Sequence, residues 1–159
     1  MLEPVTVIPI GIVHNSINEV KDDMFGGVIS RIELDPARFT SDALLGLDSF
    51  SHAEIIFALH RVPDSAIVTG TRHPRGRTEW PKVGIFAQRA KFRPNRIAVT
   101  VCRVVKVEGV AVEVESLDAI NGTPVLDIKP YLTEFGPRGP VHQPDWATQV
   151  MGDYWNQPK

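Results

Sequence analysis

Apolar residues along this chain fall at every second position or in short runs, the pattern of strands rather than of long helices. Residues 5–13 predict a first strand with Ile8, Ile10 and Ile12 on one face, ending at the small polar groups of His14, Asn15 and Ser16, a usable ligand edge. After Gly26-Gly27, residues 28–34 alternate Val28, Ile32 and Leu34 against Arg31 and Glu33, and Asp35-Pro36 stops this half-buried strand. Residues 41–47, with Thr40 or Ser41 as N-cap and Asp42 in the first turn, form a short helix candidate. The nearly unbroken apolar run 53–62 suits a strand buried on both faces, although periodicity alone leaves a helix open. Residues 63–82, rich in Pro, Gly and Arg, predict a long loop.

The clearest pair of strands is 97–107 and 110–116, joined at Glu108-Gly109 as a two-residue hairpin. Here Val99, Val101, Val105 and Val107 stand against Thr100, Cys102 and Lys106, then Val110, Val112 and Val114 against Glu113 and Glu115. Asn121-Gly122-Thr123-Pro124 is a turn before a short strand, 125–128. From Gly136 the chain reads as an extended tail whose Trp146, Tyr154 and Trp155 need a surface to pack on.

Thirteen Pro and twelve Gly in 159 residues reinforce a plan of turns and short elements. The expected fold is mainly β: one small β-barrel with short helices and a long Pro/Gly/Arg-rich loop over residues 1–135, followed by a tail, 136–159, that packs on the barrel or on a partner subunit. The single cysteine, Cys102, permits no internal disulfide and points to the cytoplasm. No run approaches the ~18 apolar residues of a membrane span, and the first residues lack the basic start and apolar core of a signal peptide, so no membrane role is expected.

Charge is unevenly placed. Residues 72–106 hold ten cations (Arg72, Arg75, Arg77, Lys82, Arg89, Lys91, Arg93, Arg96, Arg103 and Lys106) against one acid, Glu79, a net +9; the remaining seven cations and eighteen acids give −11. Seven of the ten are Arg, which suits bidentate grip on phosphate or carboxylate. A nucleic-acid face with Arg75, Arg77, Lys91 and Arg96 on phosphates is one reading; arginines paired to acidic neighbours within or across subunits is the other.

His14, His52, His60, His73 and His142 have no metal-ligand spacing, so no metal is expected. No nucleophile elbow, phosphate loop or Gly-x-Gly-x-x-Gly turn occurs, which disfavours a Rossmann domain. Two stretches remain. Residues 86–96 pack four cations around Pro94-Asn95; residues 118–131 set Asp118, Asn121, Thr123, Asp127, Lys129 and Tyr131 around a tight turn. Taken on their chemistry they make an anion-binding pocket, or turns in which Asp127 and Lys129 pair on a strand face.

These stretches resemble the TsaA/TrmO family. The matching residues are Gly84-Ile85-Phe86-Ala87, Arg93-Pro94-Asn95 and the run Gly122-Thr123-Pro124-Val125-Leu126-Asp127-Ile128-Lys129-Pro130-Tyr131, with Pro9-Ile10-Gly11, Leu47, Phe50-Ser51-His52, Arg72, Pro74, Arg75 and Gly76 in family order. The ten-residue run is the specific part. The resemblance implies a dimeric β-barrel that binds S-adenosylmethionine without a Rossmann sheet and N6-methylates threonylcarbamoyladenosine beside the tRNA anticodon. It implies a cofactor pocket of Asn15, Ser16, Ile17, Ser51, His52, Phe86, Arg89, Ser116, Leu117, Asp118 and Ala119. Asp118 would hold ribose hydroxyls or the amino group, and Arg89 the methionine carboxylate. Arg75, Arg93 and Asn95 are the substrate-binding candidates, and Asp127, Lys129 and Tyr131 the catalytic ones for orientation and proton handling.

The chain departs from the family at Ala90, where Ser or Thr is common, at Arg96 for Pro, at Ala98 for Gly and at Asn121 for Asp. The long insertion that extends many bacterial homologues is not expected in this chain. Asn121 removes a charge from the substrate side of the turn while Lys91 and Arg96 add two, so methylation of a small molecule or another RNA is a second reading. A non-catalytic S-adenosylmethionine-binding regulator is a third.

Overall fold

The protein is described here by a computed structural model covering residues 2–157; residue 1 of the expected barrel and residues 158–159 of the expected tail lie outside the described residues. Six strands, β1 (Gly11–His14), β2 (Ile29–Leu34), β3 (His52–Ala58), β6 (Ile97–Glu108), β7 (Ala111–Glu115) and β8 (Pro124–Pro130), close into a barrel in the order β1-β2-β7-β6-β3-β8. Every neighbouring pair is antiparallel. Two further strands, β4 (Thr71–Arg72) and β5 (Val83–Gly84), form a separate ribbon.

Closure gives each of the six strands a neighbour on both sides along at least part of its length. It is completed where Gly11 and Ile12 of β1 pair with Val125 and Pro124 of β8. Only glycine serves at position 11, because a Cβ there would lie 2.4 Å from the Glu33 carbonyl oxygen. Inside, Val13, Ile32, Ile55, Phe57, Cys102, Val112, Val114, Leu117 and Val125 are buried together, and each large apolar side chain removed from water contributes about 1.5–3 kcal/mol.

The mainly β expectation and the barrel hold, and β6 and β7 form the expected hairpin, but its two turn residues are Gly109 and Val110, one position later than expected, because Glu108 still pairs with Ala111. Several details differ. The first strand begins only at Gly11; Val5, Val7 and Ile8 are exposed, since neither β2 nor β8 extends far enough to pair with them. β3 is buried on one face, not two: Ala53, Ile55 and Phe57 point inward while Glu54 and Ile56 reach the surface, as a single-walled barrel has one dry side.

In the first half of β6 the side of the alternation that carries Thr100 and Cys102 lies inside. Thr100 (6% exposed) and Cys102 (1%) point inward, and Val99 (37%) and Val101 (45%) point out. Pairing decides this: Thr100 lies opposite Ile55 and Cys102 opposite Ala53, and partners in register share a face. The helix candidate at 41–47 is two single 3₁₀ turns, Ser41–Leu44 and Leu47–Ser49, separated by Gly46 at φ 85°. Residues 63–82 are not one long loop. Turns at Asp64–Ala66 and Pro74–Gly76 and the β4–β5 ribbon divide the segment. Within the expected extended tail, Asp145–Val150 form the one α-helix among the described residues, α1. Among the described residues, no helix is long and apolar enough to cross a membrane.

Candidate functional site

The barrel wall opens beside β6. Leu59 N–H donates to the Arg96 carbonyl (2.8 Å) and Val104 N–H to the Ser51 carbonyl (2.9 Å), so the even-numbered backbone groups of early β6 face β3 and those of Val99 face away. On that far side β7 runs only to Glu115, opposite Arg103. The chain then turns through Ser116, at φ 65°, into Leu117, Asp118 and Ala119. The Arg89 guanidinium donates to the Val99 carbonyl in the space so left.

Asp118 is the hub of this opening. One carboxylate oxygen accepts from the Thr100 hydroxyl; the other accepts from the Tyr154 hydroxyl at 2.5 Å. Burial, then the adjacent Asp118 charge, push the Tyr154 hydroxyl well above the usual tyrosine range, so it remains a proton donor. The charges of Arg89 and Arg75 act on it in the opposite sense. Phe86, on the turn Ile85–Ala87, is 77% exposed and presents its ring to solvent.

The residues that follow β1 reach the same region. Asn15 donates to Ser30 Oγ and to the Ala119 carbonyl, both at 2.9 Å, and its oxygen accepts from Ile17 N–H at 3.0 Å. Ile17 is buried with Phe25 and Val28, and its carbonyl accepts from Asn121 at 2.7 Å. Ser16 lines an open depression of about 410 Å³ with Gly26, Gly27, Val28, Ile29 and Gln157. The Ser116 hydroxyl accepts from Gly27 N–H at 3.0 Å.

Ser51 and His52 stand apart from that cluster. They hydrogen-bond to each other at 2.9 Å, and the His52 carbonyl accepts from Tyr131 N–H at 3.0 Å. His52 and Glu115 both pair with Arg103, from its two sides, which places the Ser51–His52 corner two strands across from Ser116.

Register then lays out the catalytic candidates on the outer face of β6, β3 and β8 in three rows: Val99, Ile56 and Asp127; Val101, Glu54 and Lys129; Arg103, His52 and Tyr131. Within the grid Lys129 Nζ lies 2.5 Å from Asp127. That hydrogen bond, with the Asp127 and Glu54 charges behind it, raises the ammonium above the usual lysine range, so Lys129 keeps its proton near neutrality.

The basic segment is largely balanced within the chain. Arg75 is bidentate to Asp23 (2.7 and 2.6 Å), Lys91 reaches Asp22 (2.7 Å), Arg96 reaches Asp64 (2.6 Å), Arg103 reaches Glu115 (2.7 Å), Lys106 reaches Glu108 (2.7 Å) and Arg77 pairs with Glu79. Arg93 donates to the Gln88 carbonyl at 2.9 Å, and Arg72 lies over the Phe92 ring. Asn95 is exposed at the corner of this loop. Four residues that sequence reasoning missed complete the arrangement: Thr100, Tyr154, Asp22 and Asp23. Tyr154 is thirty-six positions from Asp118, and nothing local signals their contact.

The chain is a small closed antiparallel barrel, with no parallel nucleotide-binding sheet among the described residues, that holds a carboxylate and a guanidinium at an opening in its wall. Residues 20–136 match the family described as the tRNA-methyltransferase O N-terminal domain, and the chain belongs to that family. It is 39% identical over 102 residues to the human tRNA (adenine(37)-N6)-methyltransferase, covering 64% of this chain and 23% of that protein. With the Escherichia coli protein of the same description it shares 39% over 98 residues, 58% of this chain and 40% of that one. A probable S-adenosyl-L-methionine-binding protein of Methanothermobacter thermautotrophicus is 31% identical over 137 residues, 85% and 96% of the two chains. The crystal structure of TrmO from Pseudomonas aeruginosa superposes with a TM-score of 0.71 at 27% identity, covering 92% of this chain and 63% of that one. The chain thus spans about a quarter of the human relative's length and two-fifths of the bacterial one's.

Proposed function

We propose that the chain binds S-adenosylmethionine and methylates the N6 position of threonylcarbamoyladenosine beside the tRNA anticodon. The observation that carries the reading is the family match over residues 20–136, which spans the Asp118 opening and the row of Asp127, Lys129 and Tyr131. The relatives described as tRNA methyltransferases and as S-adenosyl-L-methionine-binding proteins support it.

The residues at the opening fit the cofactor. Asp118 accepts one hydrogen bond on each oxygen and has lone pairs left for ribose hydroxyls or an ammonium. Arg89 spends one of its five donors on Val99 and keeps others for a carboxylate, and the bare Phe86 ring offers an apolar surface to an aromatic base. When bound, S-adenosylmethionine supplies an electrophilic methyl group on its sulfonium.

The acceptor nitrogen is amide-like and weakly nucleophilic, so the chain must align it and take its proton. Lys129, held protonated, orients rather than abstracts; Asp127 is the proton acceptor, and Tyr131 completes the row. Arg93 and Asn95 sit on the loop that meets the substrate, with Arg75 braced behind it by Asp23. The outer grid is open to water in a single chain, and its valines Val99 and Val101, with Ile97 next to them on β6, are exposed. A second copy laid over this face encloses the catalytic row, which makes the working unit a homodimer. The cytoplasm is the compartment this reading requires.

Labelled methyl from S-adenosylmethionine should enter tRNA taken from cells lacking the modification, at the adenosine beside the anticodon. Transfer only to a small-molecule pool moves the acceptor to that class. Cofactor binding with no transfer to either makes the protein a binding regulator.

A further inference from the structure

Tyr154 belongs to a strap that reaches Asp118 from the far end of the chain. Met24, Phe25 and Gly26 donate their backbone N–H groups to the carbonyls of Asp153 (3.3 Å), Tyr154 (3.0 Å) and Asn156 (3.2 Å). Gly26 is required for this approach, because a Cβ at that position would lie 1.8 Å from the Trp155 carbonyl oxygen. The Tyr154 ring packs 5.3 Å from Phe25 and 4.9 Å, edge-on, from Trp155. Farther back, Trp80 Nε1–H donates to Gln149 Oε1 at 2.9 Å, fixing α1 to the loop before β5.

A carboxylate at an opening in a barrel wall turns freely unless something sets its plane. Thr100 holds one oxygen of Asp118 from inside the barrel and Tyr154 holds the other from the strap. The phenol is not a loose cover: its ring lies against the small core of Ile17, Phe25 and Val28, and its backbone is tied on the same segment. We infer that Tyr154 is a positioning residue that orients Asp118 for the bound cofactor, so that the C-terminal strap forms part of the cofactor site. This rests on the reading of Asp118 as a cofactor ligand. A fixed donor on one oxygen leaves the remaining lone pairs aimed in one direction, which is what supporting hydrogen bonds do for a ligand-binding group.

The test is a double-mutant cycle on the whole protein, Tyr154→Phe and Asp118→Asn singly and together, with S-adenosylmethionine affinity measured by calorimetry and melting followed alongside. Tyr154→Phe keeps the ring and should weaken binding about tenfold, a loss typical of a hydrogen bond to a charged group. In the Asp118→Asn background the same change should cost less than about twofold, because a tyrosine acting through Asp118 has nothing left to orient. In turnover, the loss should appear in KM for the cofactor with kcat nearly unchanged. Gly26→Ala, which displaces the strap without touching either partner, should reproduce the loss and keeps the test open if Tyr154→Phe folds poorly. Unchanged or tighter binding in Tyr154→Phe overturns the inference, as does a tenfold loss that persists in the Asp118→Asn background. If the parent protein does not bind, or Asp118→Asn binds like the parent, the underlying cofactor reading fails instead.

Discussion

Ten cations lie between residues 72 and 106, yet six of them already face an acid of the same chain. Among the described residues, Arg72, Lys82, Arg89 and Arg93 have no such partner, so at most four remain for phosphates. Counterion release then sets a slope of log K against log salt of about −3, where ten phosphate contacts would give about −8. Between 50 and 200 mM salt these correspond to losses of roughly 60-fold and roughly 60,000-fold. Fluorescence anisotropy with a labelled anticodon stem-loop over that range separates the two. Deleting a whole pair, Arg75→Gln with Asp23→Asn, should leave the slope unchanged, since neither charge is offered to RNA. A slope steeper than about −6, or the loss of nearly one unit of slope in the pair deletion, would refute this reasoning: the ion pairs would then open for the substrate.

Arg89→Ala should weaken S-adenosylmethionine binding by about 1–3 kcal/mol in calorimetry while leaving the RNA salt slope within one unit; equal cofactor affinity removes Arg89 from the pocket. Val99→Lys with Val101→Lys places charge on the outer face of β6 and should shift the protein to monomer in light scattering with loss of methyl transfer; an intact dimer means that another face pairs. At alkaline pH, stability should fall. The folded state raises both the Cys102 thiol and the Tyr154 hydroxyl above their ordinary values of 9.0 and 10.0, so the unfolded chain releases these protons first and gains as pH climbs past them. Urea midpoints at pH 8 and 10.5 check this, and Tyr154→Phe should remove the tyrosine part, up to about 1.4 kcal/mol per pH unit.

Much of the architecture was legible in one dimension because it depends on near neighbours in sequence. The alternation in 97–107 and 110–116 with a glycine between them specifies a hairpin, although its turn, Gly109-Val110, lies one residue later than the sequence suggests, and the run 122–131 carries family membership in consecutive residues. What alternation cannot state is which side is inside. The alternation of Val99 and Val101 with Thr100 and Cys102 leaves both faces open; the pairing of Thr100 with Ile55 and of Cys102 with Ala53 turns these two valines outward, while Val107, beyond the bulge at Val104/Lys106, packs against the core. Side-chain period is two, so the identity of the buried set belongs to register, and register is a property of two strands. Charge behaved alike. The +9 segment is real in sequence, but Asp22, Asp23, Asp64 and Glu115, which balance much of it, lie outside that segment and meet it only in the fold. Asp118 was nameable from its motif, whereas the Thr100 and Tyr154 hydroxyls that hold it come from a strand wall and a distant strap. Such contacts are fixed by barrel closure, and no local pattern in the sequence encodes them.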